Sequence, residues 1–178
     1  MTPVNCSYAI ISTDLSGLIT SFNPAAEKML GYDEGSLIGK KTPEIWHDPQ
    51  EVFSRANQFS KELNENIPPG FDVFTAKAKK GLESQYEWTY IRKDGTSLPV
   101  MLGISAIYND KNQLDGYLGV AADISQQLHT QQELELARDQ LTKAAEVAHL
   151  GIWAFGHGTP LLMILNGMIK CTPYTSNH

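Results

Sequence analysis

The dipeptide Asp94-Gly95 sits between two alternating segments, Gln85 to Lys93 before it and Ser97 onward after it. In that setting Asp-Gly specifies a β-hairpin, because a type I′ turn needs positive φ at both central residues and few pairs accept it. In the first segment Tyr86, Trp88 and Tyr90 share one face, opposite Glu87 and Thr89. In the second, Leu98, Val100, Leu102, Ile104 and Ala106 form an apolar face opposite Ser97, Gly103 and Ser105. A third segment follows the polar turn Asn109 to Gln113, with Leu114, Leu118, Val120, Ala122 and Ile124 as its apolar set and Asp115, Tyr117, Gly119 and Asp123 alternating with them. Gln85 to Ser125 therefore predicts a three-stranded antiparallel meander against which the rest of the chain must pack.

Upstream, Tyr8 to Thr13 and Leu18 to Phe22 are short apolar runs joined by Asp14-Leu-Ser-Gly17, a second hairpin. Asn23-Pro24 reads as N-cap and first residue of a helix that carries Ala25, Ala26, Met29 and Leu30 and stops at Gly31. The same signature recurs at Thr42-Pro43, before Ile45 and Trp46, and at Asp48-Pro49, where Glu51 completes a capping box. From there Val52, Ala56, Phe59 and Leu63 fall on one helical stripe, which Ile67-Pro-Pro-Gly70 ends. Phe71 to Lys79 reads as one more short helix. Two strands, several short helices and three strands make an α+β domain: a five-stranded antiparallel sheet with helices on one face.

After Ser125 glycine and proline vanish until Gly151, and Gln, Glu, Leu and Ala predict a long helix. Leu134, Leu141 and Ala148 are spaced by seven, as are Ala137 and Ala144, giving about two heptads of coiled-coil pattern. The alternative is one helix folded back on its own domain. At 42% apolar, the 178 residues bury one good core and part of a second. The net charge of −6 is dispersed, with no basic block to neutralise phosphates, which excludes nucleic acid as a direct partner. Cys6 and Cys171 carry neither metal-ligand spacing nor a disulfide framework. With no signal-peptide pattern and no apolar stretch of membrane-spanning length, the expectation is a cytoplasmic chain without direct membrane insertion. A soluble part of a membrane-anchored protein would read the same way.

Three motifs in order resemble the PAS (Per-Arnt-Sim, sensory-box) family of bacterial signalling proteins: Ile11 to Glu27 with Leu30-Gly31-Tyr32, Glu87-Trp-Thr-Tyr-Ile-Arg-Lys-Asp94-Gly95-Thr96, and Gly116-Tyr-Leu-Gly119 leading into Asp123-Ile124-Ser125. The resemblance covers roughly Tyr8 to Ser125. It implies the same sheet-and-helix fold and a sensory domain over residues 1–125, a helical linker over 126–150, and in 151–178 the truncated start of a second PAS domain. It also implies that the closing Asp-Ile-Ser couples the sheet to the departing helix, and through it to an output domain, a histidine kinase rather than a diguanylate cyclase. Here Asp123, Ile124 and Ser125 are the relay residues: Ser125 is placed to cap the helix and Asp123 to put negative charge at its positive end.

No nucleophile elbow, phosphate loop or zinc motif is present, so no catalytic residue is expected. A pocket for a small apolar or aromatic ligand is expected between the long helix and the sheet, with Phe53, Ala56 and Phe59 on one wall and Trp88, Tyr90, Val100 and Leu102 on the other. Haem binders of the family carry a histidine on the long helix. The nearest here, His47, precedes the cap Asp48 and is expected to point at solvent or at the helix end. The cysteine motif of flavin photoreceptors is absent, as Cys6 precedes the first strand, so neither haem nor flavin is expected. The expected partners are a second copy of the chain, through the C-terminal helix or the domain itself, and a small-molecule ligand. A ligand-free dimerisation module is the competing reading.

Ala144 to Phe155 resembles the opening of a second PAS domain, but the tryptophan-asparagine-aspartate motif that follows in the family is missing. Asn166 through Thr172 must be encoded AAY-GGN-ATG-ATH-AAR-TGY-ACN. Read from the third base of Asn166, those codons yield Trp-Asn-Asp-Gln-Met-Tyr for suitable degenerate bases. A frameshift between about Phe155 and Ile164 would explain the tail, against an added or unusual native tail. Sequencing the coding DNA checks this: a shifted frame is expected to continue into a PAS-like segment, and a downstream frame without one refutes it.

Overall fold

The computed structural model describes residues 8–82 and 84–155, with side chains described as far as residue 146. The first hairpin pairs β1 (Tyr8–Thr13) with β2 (Ile19–Phe22). Its turn is held by the Asp14 carboxylate, which accepts from the backbone N–H of Ser16 and Leu18, while Gly17 takes a φ of 89°. Asn23 then does two jobs. Its Oδ1 caps α1 (Pro24–Leu30) at the Ala26 N–H and also accepts from the Ile10 N–H, and its Nδ2 donates to the Tyr8 carbonyl. One side chain thus fixes the angle at which the helix leaves the hairpin. Gly31 closes α1 in the left-handed conformation.

A short helix not foreseen in the sequence, α2 (Glu34–Leu37), precedes a 3₁₀ turn over Pro43–Trp46 and the long helix α3 (Pro49–Leu63). Asp48 caps α3 by accepting from the Gln50 and Glu51 N–H groups. Glu51 does not close a capping box. Its carboxylate reaches across to accept from Thr89 N–H at 2.8 Å and faces Arg55 at 3.7 Å. Thr89 lies on the edge strand with its N–H turned away from β4, so the longer-range bond draws the carboxylate away.

The expected helix from Phe71 to Lys79 is two pieces: α4 (Phe71–Thr75) and a 3₁₀ turn at Ala78–Lys80. Ion pairs Lys77–Glu62 and Lys80–Glu65 hold the second piece to the end of α3 and the loop after it. β3 (Gln85–Ile91) and β4 (Ser97–Tyr108) then form the Asp-Gly hairpin. The turn is not type I′. Of its residues only Gly95 has positive φ, its N–H bonds the Arg92 carbonyl, and the Asp94 carboxylate accepts from the Thr96 N–H and hydroxyl. That is a type I turn closed by a glycine bulge, the usual three-residue solution.

β5 (Leu114–Asp123) completes a five-stranded antiparallel sheet in the order β2-β1-β5-β4-β3. Because β5 pairs on both edges, with β1 and β4, it is the central strand. Its inward face is not the one that carries its larger aliphatic residues. Tyr117, Gly119 and Ala121 align with Thr13, Ile11 and Ala9 of β1 and lie toward the buried core, while Leu118, Val120 and Ala122 are half-buried on the opposite face. Both faces of β5 are apolar enough that alternation alone does not distinguish them. The core on the Gly119 and Ala121 side of the sheet joins Ile11, Phe22, Leu30, Trp46, Phe59 and Val100.

α5 runs unbroken over Ser125–Phe155, across the expected boundary at Leu150. The compact unit formed by the sheet and its helices ends at Leu128. Residues 156–178, which carry the frameshift reading, lie outside the described residues. Among the described residues no helix is long and apolar enough to cross a membrane.

One glycine fixes the approach of β1 and β5. A Cβ at Gly116 would stand 2.1 Å from the Thr13 carbonyl oxygen, a backbone atom that cannot swing aside. Gly116→Ala is expected to cost about 3 kcal/mol or more, measured as a lower urea midpoint with unchanged slope. Wild-type stability in that variant would mean the two strands part readily there.

Candidate functional site

Small side chains on the central strand leave a hollow in the core. Gly119 and Ala121 put almost nothing between Ile11, Ile104 and Leu102 on one side and the helical layer on the other. The result is a cavity of about 40 Å³. Trp46 and His47 at the end of the 3₁₀ turn, and Phe71, Phe74 and Thr75 of α4, close it from above. Tyr90, Tyr117 and Thr13 contribute from the sheet. The described residues that line it include no Asp, Glu, Lys or Arg.

Of the seven residues expected to form the pocket, Tyr90 and Leu102 line this cavity. Ala56, Phe59, Trp88 and Val100 are buried in the core around it. Phe53 is 58% exposed and forms no wall. It lies one position off the Val52-Ala56-Phe59 stripe, a rotation of about 100° around the helix that carries it to solvent. The α3 side of Trp88 is covered instead by Arg55, whose guanidinium lies 5.1 Å from the Trp88 and Tyr86 rings and donates to the Glu87 carbonyl.

His47 is the residue the sequence misplaced. It is 4% exposed, held by a β-bridge to Tyr90, and packed among aromatic rings: Phe74 at 4.2 Å, with Tyr90 at 4.8 Å and Trp88 at 5.3 Å edge-on. The 3₁₀ turn reverses the chain just before Asp48, so the cap faces out while the preceding imidazole turns in. Nδ1 lies 2.8 Å from the Pro43 carbonyl. A carbonyl only accepts, so Nδ1 carries the hydrogen and Nε2 is a bare lone pair. Among the described residues that Nε2 has no partner, and neither does the buried Thr13 hydroxyl. The Trp46 indole N–H approaches the Tyr90 hydroxyl without a bond of good geometry, and burial raises the Tyr90 phenol well above its ordinary range. Unmatched buried polar atoms are uncommon in folded proteins, and three of them lie around this one cavity.

The three residues expected to form a relay sit at the far end of β5. Asp123 accepts from the Ser125 N–H at 2.8 Å, and the Ile124 N–H donates to the Pro99 carbonyl of β4. Ser125 is the first residue of α5, not its cap; the capping acceptor is Asp123. Ile124, between them, is buried.

Burial holds the His47 imidazole well below its usual range, at about 4 against 6.5. Between those values the unfolded chain takes up a proton that the native state refuses, so stability contributed by neutral His47 is present above pH 6.5 and lost as pH falls toward 4. The expected loss is about 3 kcal/mol. Urea unfolding at a series of pH values checks it: the difference between wild type and His47→Leu is expected to change across that window. A difference independent of pH contradicts it.

The model of the PAS domain family matches residues 5–126 of the chain. Among solved structures, the PAS domain of a protein from Colwellia psychrerythraea is 23% identical and covers 67% of this chain and 87% of its own, with a TM-score of 0.48. An RNA-binding light-oxygen-voltage receptor is 18% identical over 76% of this chain and 35% of its own, with a TM-score of 0.53. A sensory box histidine kinase/response regulator from Burkholderia thailandensis is 13% identical over 77% and 92%, with a TM-score of 0.49. No curated protein matches the chain. With the family model spanning well over half of the 178 residues, and with the strand order and helical layer described above, the chain belongs to the PAS domain family, a family of regulatory sensory modules.

Proposed function

We propose that this PAS domain is the sensing part of a signalling protein: a small molecule enters the cavity beneath α4, β5 shifts, and α5 carries the shift to an output domain, a histidine kinase. The observation that carries the reading is that one strand serves both ends. Gly119 and Ala121 of β5 line the cavity, and four residues beyond Gly119 the same strand ends in Asp123, whose carboxylate holds the first N–H of α5. Each backbone step in between is paired to β1 or β4, so displacement at the cavity is not absorbed by a loop. The kinase assignment follows how often arrays of such domains precede kinases; a diguanylate cyclase would use the same lever.

Association through α5 belongs to the same proposal. Leu134 and Leu141, seven apart, are 70% and 73% exposed on a helix otherwise rich in Gln and Glu, the pattern a second copy would cover. In that arrangement a change at Ser125 alters how two helices meet.

Asp123→Ala tests the coupling. Loss of a cap costs about 1 kcal/mol, so amides 125–128 are expected to exchange about fivefold faster while β4 and β5 keep their protection. Loosening of the whole sheet would mean that Asp123 holds the fold, not the lever.

A further inference from the structure

The unmatched atoms around the cavity specify what it takes. We propose that the cavity binds a small neutral molecule of about three or four heavy atoms bearing a hydroxyl or N–H donor, which His47 Nε2 accepts and the Thr13 hydroxyl completes. This rests on the reading of the cavity as the sensor's ligand site.

Size is the first constraint. About 40 Å³ admits about three water-sized groups, and it is far below the roughly 300 Å³ at which pockets for drug-sized ligands begin. A flavin or a haem does not fit these walls. Charge is the second. Without a lysine or arginine among the described lining residues, a carboxylate would meet the lone pair of a neutral imidazole with no compensating cation; without an Asp or Glu, an ammonium would be buried unpaired. Hydrogen-bond polarity is the third. The Pro43 carbonyl consumes the only hydrogen on the ring, so His47 offers an acceptor and nothing else. Thr13 can donate or accept, so a hydroxyl that gives its proton to His47 can take one from Thr13. Phe74, Ile11 and Leu102 supply an apolar wall for the rest of the molecule.

Two probes of nearly equal shape separate donor recognition from simple filling: 2-propanol, which has a donor, and acetone, which has only an acceptor. The ¹⁵N-labelled chain of residues 1–178 is titrated with each, reading the amides of Thr13, His47 and Gly119 and the His47 ring nitrogens. 2-Propanol is expected to shift these saturably and to bind about tenfold more tightly than acetone, the value of one hydrogen bond to a buried acceptor. In His47→Leu and in the milder His47→Gln the preference is expected to fall to about twofold or less. Equal or tighter binding of acetone by the wild type overturns the proposal, as does the absence of a saturable shift with either probe, which leaves the cavity to water. The relay is read separately in the same spectra. Selective binding that leaves the amides of Ser125 to Leu128 unmoved upholds the ligand class and refutes the lever, whereas unselective binding that moves them refutes the ligand class and upholds the lever.

Discussion

Everything distinctive in this domain depends on how closely β5 can lie between β1 and β4. At Gly116 the approach to Thr13 leaves no room for a Cβ. At Gly119 a Cβ would meet only ordinary contacts, 3.6 Å from Leu102 and 3.7 Å from the Ile11 carbonyl, so there the missing side chain is not required by the neighbouring strands. It leaves a hollow on the core face. One glycine therefore makes the sheet and the other makes the cavity, on a strand that ends at the cap of α5.

A hollow next to a buried imidazole is costly. An empty space forfeits dispersion contacts on its lining, and a buried acceptor without a donor forfeits the hydrogen bonds it had in water. The surroundings offset part of this. Phe74, Trp88 and Tyr90 pack around the His47 ring, and the Pro43 carbonyl settles its tautomer. The remainder, the His47 lone pair, the Thr13 hydroxyl and the Trp46 indole N–H, is the free energy a suitable ligand recovers on binding. The same physics keeps His47 neutral at physiological pH, so the site recognises hydrogen-bond polarity and not charge.

Much of the fold was legible because local chemistry and global architecture agree. Asn23-Pro24 and Asp48-Pro49 start helices, Gly31 stops one, and the alternation of Tyr86, Trp88 and Tyr90 with Glu87 and Thr89 places β3 on the sheet with its aromatic residues inward. The misreadings have two origins, a local side-chain contact at the Asp94 turn and tertiary placement at Glu51 and β5. The Asp94-Gly95 turn chose a bulge because the Asp94 carboxylate had Thr96 to hold. Glu51 left its capping box for Thr89 across the domain. β5 presented two apolar faces, and only its central position selects the one with Gly119 and Ala121. The site was harder still. Tyr90 and Leu102 were found from the pleat, but His47 looked like a residue outside a helix cap, and nothing local shows that the turn before it buries the ring. Phe53 was the avoidable miss, since the stripe through Val52 already excluded it.

The central claim is that the hollow at Gly119 and the start of α5 are parts of one device. Hydrogen exchange of amides 125–128 in Gly119→Ala tests it most directly, because the added methyl enters the hollow without touching α5 and without a strained φ. The account predicts a change in their protection of about twofold or more, with the rest of α5 and the outer strands β2 and β3 unaltered. Protection at those amides identical to wild type, in a variant whose cavity no longer admits 2-propanol, would contradict it.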